Sequence, residues 1–259
     1  MKVNVRQNLQ PKILLDSAFL GQGLPGINRE ELMDSVGRFS HVGVVWLAAG
    51  EIQVGTIVDF LGHTQDKSWR RLDSCKVAGG YNGYCTGSVT MDVAGEIGVD
   101  FVATAGIGGV DARGNVCSDI PALAAYSGLL VATAPKDILD LKATIASLRS
   151  FKVHVYGWES ERADGFLFSQ QPENLDGLYN KEKSGLLLCP IQHELRLKDQ
   201  SILQACRKIG LQTPPEHSPH PAVNAYLAEV TGGLASRLQL DALLHNITVA
   251  LRIEEARRL

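Results

Sequence analysis

The segment Phe101-Val-Ala-Thr-Ala-Gly-Ile-Gly-Gly-Val110 decides the fold, because an apolar run passes directly into closely spaced glycines. A second apolar run, Leu129-Leu-Val-Ala-Thr-Ala134, ends just before Lys136, and a third, Val153-His-Val-Tyr-Gly157, follows a helical pattern. Short apolar runs that alternate with helical patterns predict a mostly parallel sheet covered by helices. Ligands of such folds bind at the carboxyl ends of the strands, where the glycine turn, Lys136 and Gly157 should meet.

The rest of the chain can be divided by the same periodicities. Ile13-Leu-Leu predicts a strand that leads into an irregular loop at 21–26, and Val42–Gly55 predicts a hairpin that turns at Gly50. Apolar residues at helical spacing, with proline and glycine punctuation, predict helices over residues 29–36, 86–98, 121–127, 138–148, 223–230 and 234–258.

Composition limits the possible functions. The chain has 259 residues, 45% hydrophobic and 20% charged, and we expect one domain over residues 1–259. A net charge of −3 predicts no general attraction to nucleic acid polymers or to acidic membranes. The start of the chain has no long apolar run, and no run is long enough to span a membrane. Five cysteines without paired spacing favour free thiols, so we expect a cytoplasmic protein.

Lys136 is the strongest candidate for chemistry. A lysine at the mouth of a buried strand can be desolvated, which lowers its pKa and leaves a neutral amine that attacks carbonyl carbon. Asp119 could cap a helix or bind a hard cation such as Mg²⁺ or Mn²⁺. Asp16 could be a general acid at a strand end or an ordinary turn aspartate.

Two further patterns are compatible with a phosphate ligand. The amides of the turn 104–109 could approach an anion, or the glycines could serve only a tight turn. The basic cluster Lys67, Arg70 and Arg71 could hold a phosphate or lie in solvent. The four histidines His193, His217, His220 and His245 have no metal-ligand spacing, so we expect structural or solvated roles for them. Together the lysine, the two carboxylates, the glycine turn and the basic cluster predict an α/β enzyme that acts on a small phosphorylated ligand.

Several co-linear motifs give a more specific resemblance. The segment 101–110 is similar to F-A-T-G-G-I-G-G-V, Asp119-Ile-Pro-Ala-Leu123 to D-I-S-A-D, and Val131–Asp140 to V-C-A-G-A-K-S-I-L-D. Residues 82–91 are similar to N-G-A-T-T-V-x-x-T-M, and Thr231-Gly-Gly matches a T-G-G before the final helix. The chain thereby resembles the pseudouridine-5′-phosphate glycosidase family, also called indigoidine synthase A-like proteins, over nearly its whole length.

The resemblance implies a three-layer α/β/α fold with a mixed, largely parallel central sheet, and a homotrimer. It implies that Lys136 forms an imine with ring-opened ribose 5-phosphate and that Asp16, in the place of a family glutamate, is the general acid. It implies a divalent metal, usually Mn²⁺, at Asp119. The substrate-binding positions that it implies are Lys67 on the phosphate side together with Thr86, Gly87, Thr104, Pro121, Ala122, Leu123 and Gln239.

The chain also departs from the family pattern. Asp16 is one methylene shorter than glutamate, and the sugar-binding S-A-D becomes Pro121-Ala-Leu123. H-R-G becomes Asp111-Ala-Arg113, N-P-I-P becomes Cys189-Pro-Ile-Gln192, and an asparagine on the base-facing side becomes Gln239. Because lost polar partners weaken discrimination for ligands that need them, the sugar chemistry is expected to persist with a changed aglycone.

Three functions therefore remain open. The first is a C-glycosynthase in C-nucleoside or C-glycoside natural-product biosynthesis, in which the imine loses water across C1–C2, accepts an aglycone carbon and releases Lys136 on ring closure. The second is cleavage of pseudouridine 5′-phosphate to uracil and ribose 5-phosphate by the same residues. The third is a sugar-phosphate binding protein without catalysis.

Overall fold

The computed structural model describes residues 2–64, 66–74, 81–181, 184–214 and 217–258. Cys75 therefore lies outside the described residues, and the other four cysteines are free thiols. The strands are β1 Val3–Val5, β2 Ile13–Asp16, β3 Val42–Ala48, β4 Glu51–Gly55, β5 Arg70–Leu72, β6 Gly83–Cys85, β7 Phe101–Ala103, β8 Leu129–Ala132, β9 Val155–Gly157, β10 Arg162–Ala163, β11 Glu173–Asn174 and β12 Gly185–Leu188. The helices are α1 Ser17–Gln22, α2 Arg29–Val36, α3 Ile57–Leu61, α4 Gly87–Ile97, α5 Asp119–Ala125, α6 Leu141–Ser150, α7 Gln200–Gln212, α8 His220–Val230 and α9 Leu234–Arg258, with a 3₁₀ turn at His193–Leu195.

The central sheet is mixed and mostly parallel. Its order is β1-β4-β3-β2-β7-β8-β12-β9, and the strands from β3 to β9 along this order pair in parallel. The hairpin partner β4 and the strand β6 run antiparallel to β3. The strands β2, β7 and β8 are neighbours at the middle of the sheet, so the residues that follow them meet at one edge.

Alternate residues of the central strands bury their side chains on opposite faces. In β2, Ile13 and Leu15 belong to one apolar core while Leu14 belongs to the other. The same alternation holds in β8, where Leu129 belongs to the first core and Leu130 to the second. Because both faces are apolar, helices must cover both. Helix α9 packs on β7 and β8 on one face, and α4 packs on β2 and β7 on the other, which confirms the α/β/α layers.

Most of the elements predicted from periodicity are present. The hairpin, the helix 29–36 and the helix that ends at Gly98 agree with the prediction. The prediction of an irregular loop after Ile13-Leu-Leu is wrong for the start of that segment, because α1 follows β2 directly and is capped by Asp16. Helix α6 begins at Leu141 instead of Ile138, since Asp140 is its N-cap and accepts a hydrogen bond from the amide of Ala143. In the described part of the chain, no helix is both long and apolar enough to cross a membrane.

One buried amide connects helix α9 to the ends of two central strands. Asn246 is fully buried, and its Nδ2 donates to the carbonyl oxygen of Thr104 at 2.8 Å and to Oγ1 of Thr133 at 3.1 Å. Thr104 follows β7 and Thr133 follows β8. Asn246 therefore fixes both strand ends, from which the candidate site is built, against the covering helix.

We expect Asn246→Ala to lower the free energy of unfolding by about 2–3 kcal/mol, because it leaves the Thr104 carbonyl without this donor in a buried place. His245→Ala, at the exposed neighbouring position of the same helix, should change it by less than about 0.5 kcal/mol. Urea unfolding followed by circular dichroism measures both. Equal losses in the two variants would contradict the role given to the buried amide.

Candidate active site

The turns that follow β7 and β8 continue side by side beyond the sheet and present Lys136. The amide of Ile107 donates to the carbonyl of Ala134 at 3.1 Å, and the amide of Lys136 donates to the carbonyl of Ile107 at the same distance. Ile107 and Pro135 form an isolated parallel bridge. This continued pairing fixes the backbone of Lys136 at the carboxyl edge of the sheet, as the sequence predicted.

The glycine turn brings Asp119 to Lys136. The amide of Gly108 donates to Oδ2 of Asp119 at 2.7 Å. A Cβ atom at Gly108 would lie 2.4 Å from Sγ of Cys117, so a side chain does not fit there. At Gly109 a Cβ atom would lie 2.3 Å from Oγ1 of Thr144. The glycines therefore serve close packing, and the Gly108 amide is already bonded to a carboxylate instead of being free for an anion.

Asp16 is the last residue of β2 and is almost entirely buried, with 5% exposure. Its Oδ2 accepts a hydrogen bond from the amide of Phe19 at 3.1 Å and caps α1. Its Oδ1 is buried without a hydrogen-bond partner among the described residues. Burial raises the pKa of this carboxyl, while the Thr104 hydroxyl and the charges of Lys136 and Arg71 act to lower it. Asp16 is thus a capping residue whose second oxygen is left unsatisfied.

Lys136 has the electrostatic surroundings of a reactive amine. Burial, and then the positive charge of Arg71, lower its pKa to about 8, although Asp16 and Asp119 act in the opposite direction. At neutral pH about a tenth of such a lysine is the neutral amine. The desolvation that the sequence suggested for Lys136 is therefore present, and a neighbouring guanidinium that the sequence did not connect with it adds to the effect.

The basic cluster divides between the site and the surface. Arg71 is half-buried, and burial lowers its pKa although Asp16, Asp119 and Asp73 act to raise it. Arg70 and Arg71 line the cleft that contains Lys136. Lys67 is exposed and does not appear among the described residues that line the cleft. Successive residues of a strand point to opposite sides of the sheet. Which residue of a basic run is buried therefore cannot be read from composition alone.

Two connected spaces adjoin Lys136. The larger is a cleft of about 880 Å³, lined by Asp119, Thr86 and the glycine turn. The smaller, of about 20 Å³, has room for about one water molecule and lies between Lys136, the Phe166–Phe168 wall and Gln239. His220 lines both spaces. Lys136 therefore borders both spaces, and of the two only the cleft has room for a sugar phosphate.

The remaining residues named from the sequence fall into two groups. Thr104 lies beside Asp16, and a Cβ atom at Gly87 would lie 3.6 Å from Oδ1 of Asp119. Gln239 is buried, and its Nε2 donates to Oδ1 of Asn224 at 3.4 Å. By contrast, the structure does not place Pro121, Ala122 and Leu123 among the described residues lining the cleft: the first is exposed and the other two pack in the core.

Asp119 is the candidate metal ligand whose surroundings the structure describes in most detail. Among the described residues there is no group of three or more histidine, cysteine or acidic side chains that could hold a metal ion. Asp119 has one oxygen bonded to the Gly108 amide and lines the cleft. A hard cation such as Mg²⁺ can be bound by one carboxylate while it keeps most of its water. The residues therefore fit a water-rich cation held by Asp119.

His220 and Arg71 are the residues at this site whose position the sequence analysis missed. His220, in a proline-rich segment, was expected to be structural or solvated, and Arg71, in a basic segment, was expected either to hold a phosphate or to lie in solvent. Their proximity to Lys136 depends on how β5 and α8 pack around the strand ends. The only sequence signal is that His220 precedes a proline at the start of a helical pattern, where Pro221 fits the first turn.

Known proteins are similar to this chain in sequence over nearly its whole length. A pseudouridine-5′-phosphate glycosidase from Kosmotoga olearia is 26% identical and covers 95% of this chain and 96% of its own. Another from Escherichia coli is also 26% identical, with 95% and 90% coverage.

Two solved structures have the same fold. An indigoidine synthase A-like protein from Thermotoga maritima superposes with a TM-score of 0.82 at 19% identity, and the match covers 98% of this chain and 96% of that one. The prealnumycin C-glycosynthase AlnA, in complex with ribulose 5-phosphate, gives 0.80 at 20% identity with the same coverage. The sequence model of indigoidine synthase A-like proteins matches residues 4–205, and the chain therefore belongs to that family.

Proposed function

We propose that this protein makes or breaks the carbon–carbon bond between C1 of ribose 5-phosphate and an aglycone, through an imine on Lys136. The observation that carries the proposal is the surroundings of Lys136, an amine of pKa about 8 inside a cleft, next to Arg71 and two carboxylates. Lysine imines with carbonyl substrates are an established form of covalent catalysis. The family relatives that are pseudouridine-5′-phosphate glycosidases support the choice of substrate class.

In the synthetic direction, the neutral Lys136 amine adds to the aldehyde carbon of the open-chain sugar. The carbonyl oxygen leaves as water, and the C1–N double bond forms. An electron-rich aglycone carbon then adds to C1 and loses its proton, and the sugar hydroxyl at C4 closes the ring as the C1–N bond breaks. One water is released overall and Lys136 is regenerated, so this sequence needs no separate loss of water across C1–C2. Asp16, whose charge acts on Lys136, holds a proton that the amine takes up as the C1–N bond breaks.

The basic rim of the cleft suits the sugar phosphate. Arg70 and Arg71 lie next to each other on β5 and line the cleft, and a guanidinium can bind phosphate oxygens through two parallel hydrogen bonds. We therefore assign the phosphate side of the cleft to Arg70 and Arg71. The role of Lys67 remains a prediction, and so do the sugar-binding roles of Pro121, Ala122 and Leu123.

A divalent cation, Mn²⁺ or another hard metal, would be held by Asp119 with a shell of water. When bound, it would supply positive charge and polarised water next to the sugar hydroxyls. The carboxylate of Asp119 is oriented for this by the Gly108 amide, which leaves its other oxygen available on the side of Gly87. The homotrimer and the cytoplasmic location expected from the sequence remain predictions.

We propose synthesis as the physiological direction, in the formation of a C-nucleoside or C-glycoside natural product. The argument is the aglycone side of the site, where the polar groups of the family pattern have changed while Lys136, Asp119 and a basic rim persist. The likeness to the C-glycosynthase AlnA is compatible with it. Cleavage of pseudouridine 5′-phosphate is the second candidate, favoured by glycosidase relatives that match almost the full chain.

Reductive trapping tests the imine. Incubation with ribose 5-phosphate and cyanoborohydride should attach the sugar to Lys136, located by peptide mass spectrometry. Because only the neutral amine reacts, the initial rate should rise about fivefold from pH 7 to pH 8 and level off above about pH 9. Lys136→Arg should abolish the adduct, and Lys142→Arg, an exposed lysine on α6, should not. Absence of a sugar adduct on Lys136 would refute the proposed function.

Asp16→Asn separates stability from chemistry at the same position. Asparagine caps a helix about as well as aspartate, so α1 should remain capped. The raised pKa of Asp16 means that its ionised form destabilises the fold above the usual carboxyl pKa. The variant should therefore be as stable as the wild type at pH 7 or more stable, while product formation falls at least a hundredfold.

The same variant should also lower the pKa of Lys136 below about 8, because the charge of Asp16 raises it in the wild type. Urea unfolding measures the first effect, and the pH profile of reductive trapping measures the second. A shift of that profile to higher pH would show that the two groups are not coupled as described.

A uracil-release assay with pseudouridine 5′-phosphate decides between the two directions. We expect turnover well below about 1 s⁻¹, since Gln239 stands where the family has asparagine on the base-facing side. Gln239→Asn should raise uracil release, because it restores the shorter amide. Wild-type turnover of about 1 s⁻¹ or more would instead establish the glycosidase reaction, which uses the same imine.

A further inference from the structure

His220 occupies a position between the two spaces that adjoin Lys136. It is the first residue of α8, and it lines both the cleft and the small cavity. Lys136 is shared by both spaces as well. Lys136 and His220 therefore border the same two spaces, and the charge of Lys136 acts on the imidazole.

The other groups near Lys136 are poorly placed to reach a sugar hydroxyl in the cleft. Asp16 serves the departing amine in the proposed function, but it lines neither space and caps α1. Asp137 lines the small cavity, but its two oxygens accept from the amides of Phe166 and Leu167 at 2.9 and 2.7 Å. Burial raises the pKa of Cys117 to about 12, so it remains a thiol.

Asp119 is also engaged, since Oδ2 accepts from the Gly108 amide and the carboxylate is the candidate metal ligand. The imidazole of His220, in contrast, makes no hydrogen bond within the described part of the chain. Burial, and then the positive charges of Lys136 and Arg71, hold the pKa of His220 well below its usual value. Its ring is therefore neutral at pH 7, and its protonated form is a strong acid.

We propose that His220 transfers protons in the formation and hydrolysis of the Lys136 imine. The neutral ring takes a proton from the Lys136 ammonium, and the resulting amine adds to the sugar aldehyde. The imidazolium then returns that proton to the hydroxyl of the carbinolamine, which leaves as water as the C1–N double bond forms. One ammonium and one aldehyde give one iminium and one water, and His220 ends unchanged.

This role rests on the proposed function, and one experiment distinguishes their failures. The rate of reductive trapping of ribose 5-phosphate on Lys136 is measured for the wild type, His220→Gln, His220→Ala and His245→Gln. Both His220 variants should form the adduct at least tenfold more slowly at pH 7, in line with general acid–base effects. His245→Gln, at an exposed position on α9, should match the wild type.

Recovery of the trapping rate in added imidazole distinguishes proton transfer from a merely structural role, because imidazole would not restore a structural loss. Imidazole can enter the space that His220→Ala opens in the cleft. Roughly 50 to 100 mM imidazole should therefore restore part of the lost rate. It should have little effect on the wild type or on His245→Gln. Thermal unfolding of each variant shows whether the fold is intact.

Each outcome decides between the two proposals. Wild-type rates in both His220 variants, or slow trapping without recovery in imidazole, would overturn the role of His220 while the imine itself stands. If the wild type forms no adduct with ribose 5-phosphate, the proposed function fails, and the role of His220 fails with it.

Discussion

Burial of opposite charges where β2 and β8 end is the constraint on which the rest of the site depends. Two basic groups, Lys136 and Arg71, and two carboxyl groups, Asp16 and Asp119, act on one another there. If the carboxylates dominated, Lys136 would be held as an ammonium and could not attack a carbonyl carbon. Because burial and Arg71 outweigh them, the amine has a pKa of about 8 and a useful neutral fraction at neutral pH.

This balance needs a rigid backbone, since a displacement of about 1 Å would change each of these interactions. The glycine turn supplies the close approach, because a side chain at Gly108 or Gly109 would collide with Cys117 or Thr144. Asn246 supplies the anchor from the opposite layer. The two apolar cores above and below the sheet therefore support the site from both faces, and the unsatisfied Oδ1 of Asp16 is a cost that they offset.

The sequence predicts the layers of the fold well because they depend on local periodicity. Leu14 and Leu15 face opposite cores in a strand that is apolar throughout, as a buried parallel strand requires. The start of α1 was missed because a capping aspartate and a turn aspartate are the same residue type in the same local pattern. Lys136 and Asp119 could be named from motifs in one segment each.

Arg71 and His220 could not be named from the sequence in this way, because their place near Lys136 is set by packing between segments far apart in the chain. The basic cluster offers three cations, and the pairing of β5 with β6 decides that Arg71 is half-buried while Arg70 is exposed. Likewise, Pro121-Ala-Leu123 occupies the place of sugar-binding residues in the motif. In the structure, Ala122 and Leu123 pack in the core and Pro121 is exposed, and none of the three lines the cleft.

The two spaces around Lys136 differ in how strongly they depend on its charge. The cleft contains Asp119 and Arg71, whose charges act on Lys136, so replacing either would alter the pKa of the amine. The small cavity is lined by Phe166, Phe168 and the buried amides of Asn224 and Gln239, which bond to each other and carry no charge. Under the proposed function, substitutions in that wall would enlarge or reshape the space beyond the amine and so alter which carbon nucleophile fits, while the charges that set the pKa of Lys136 are retained.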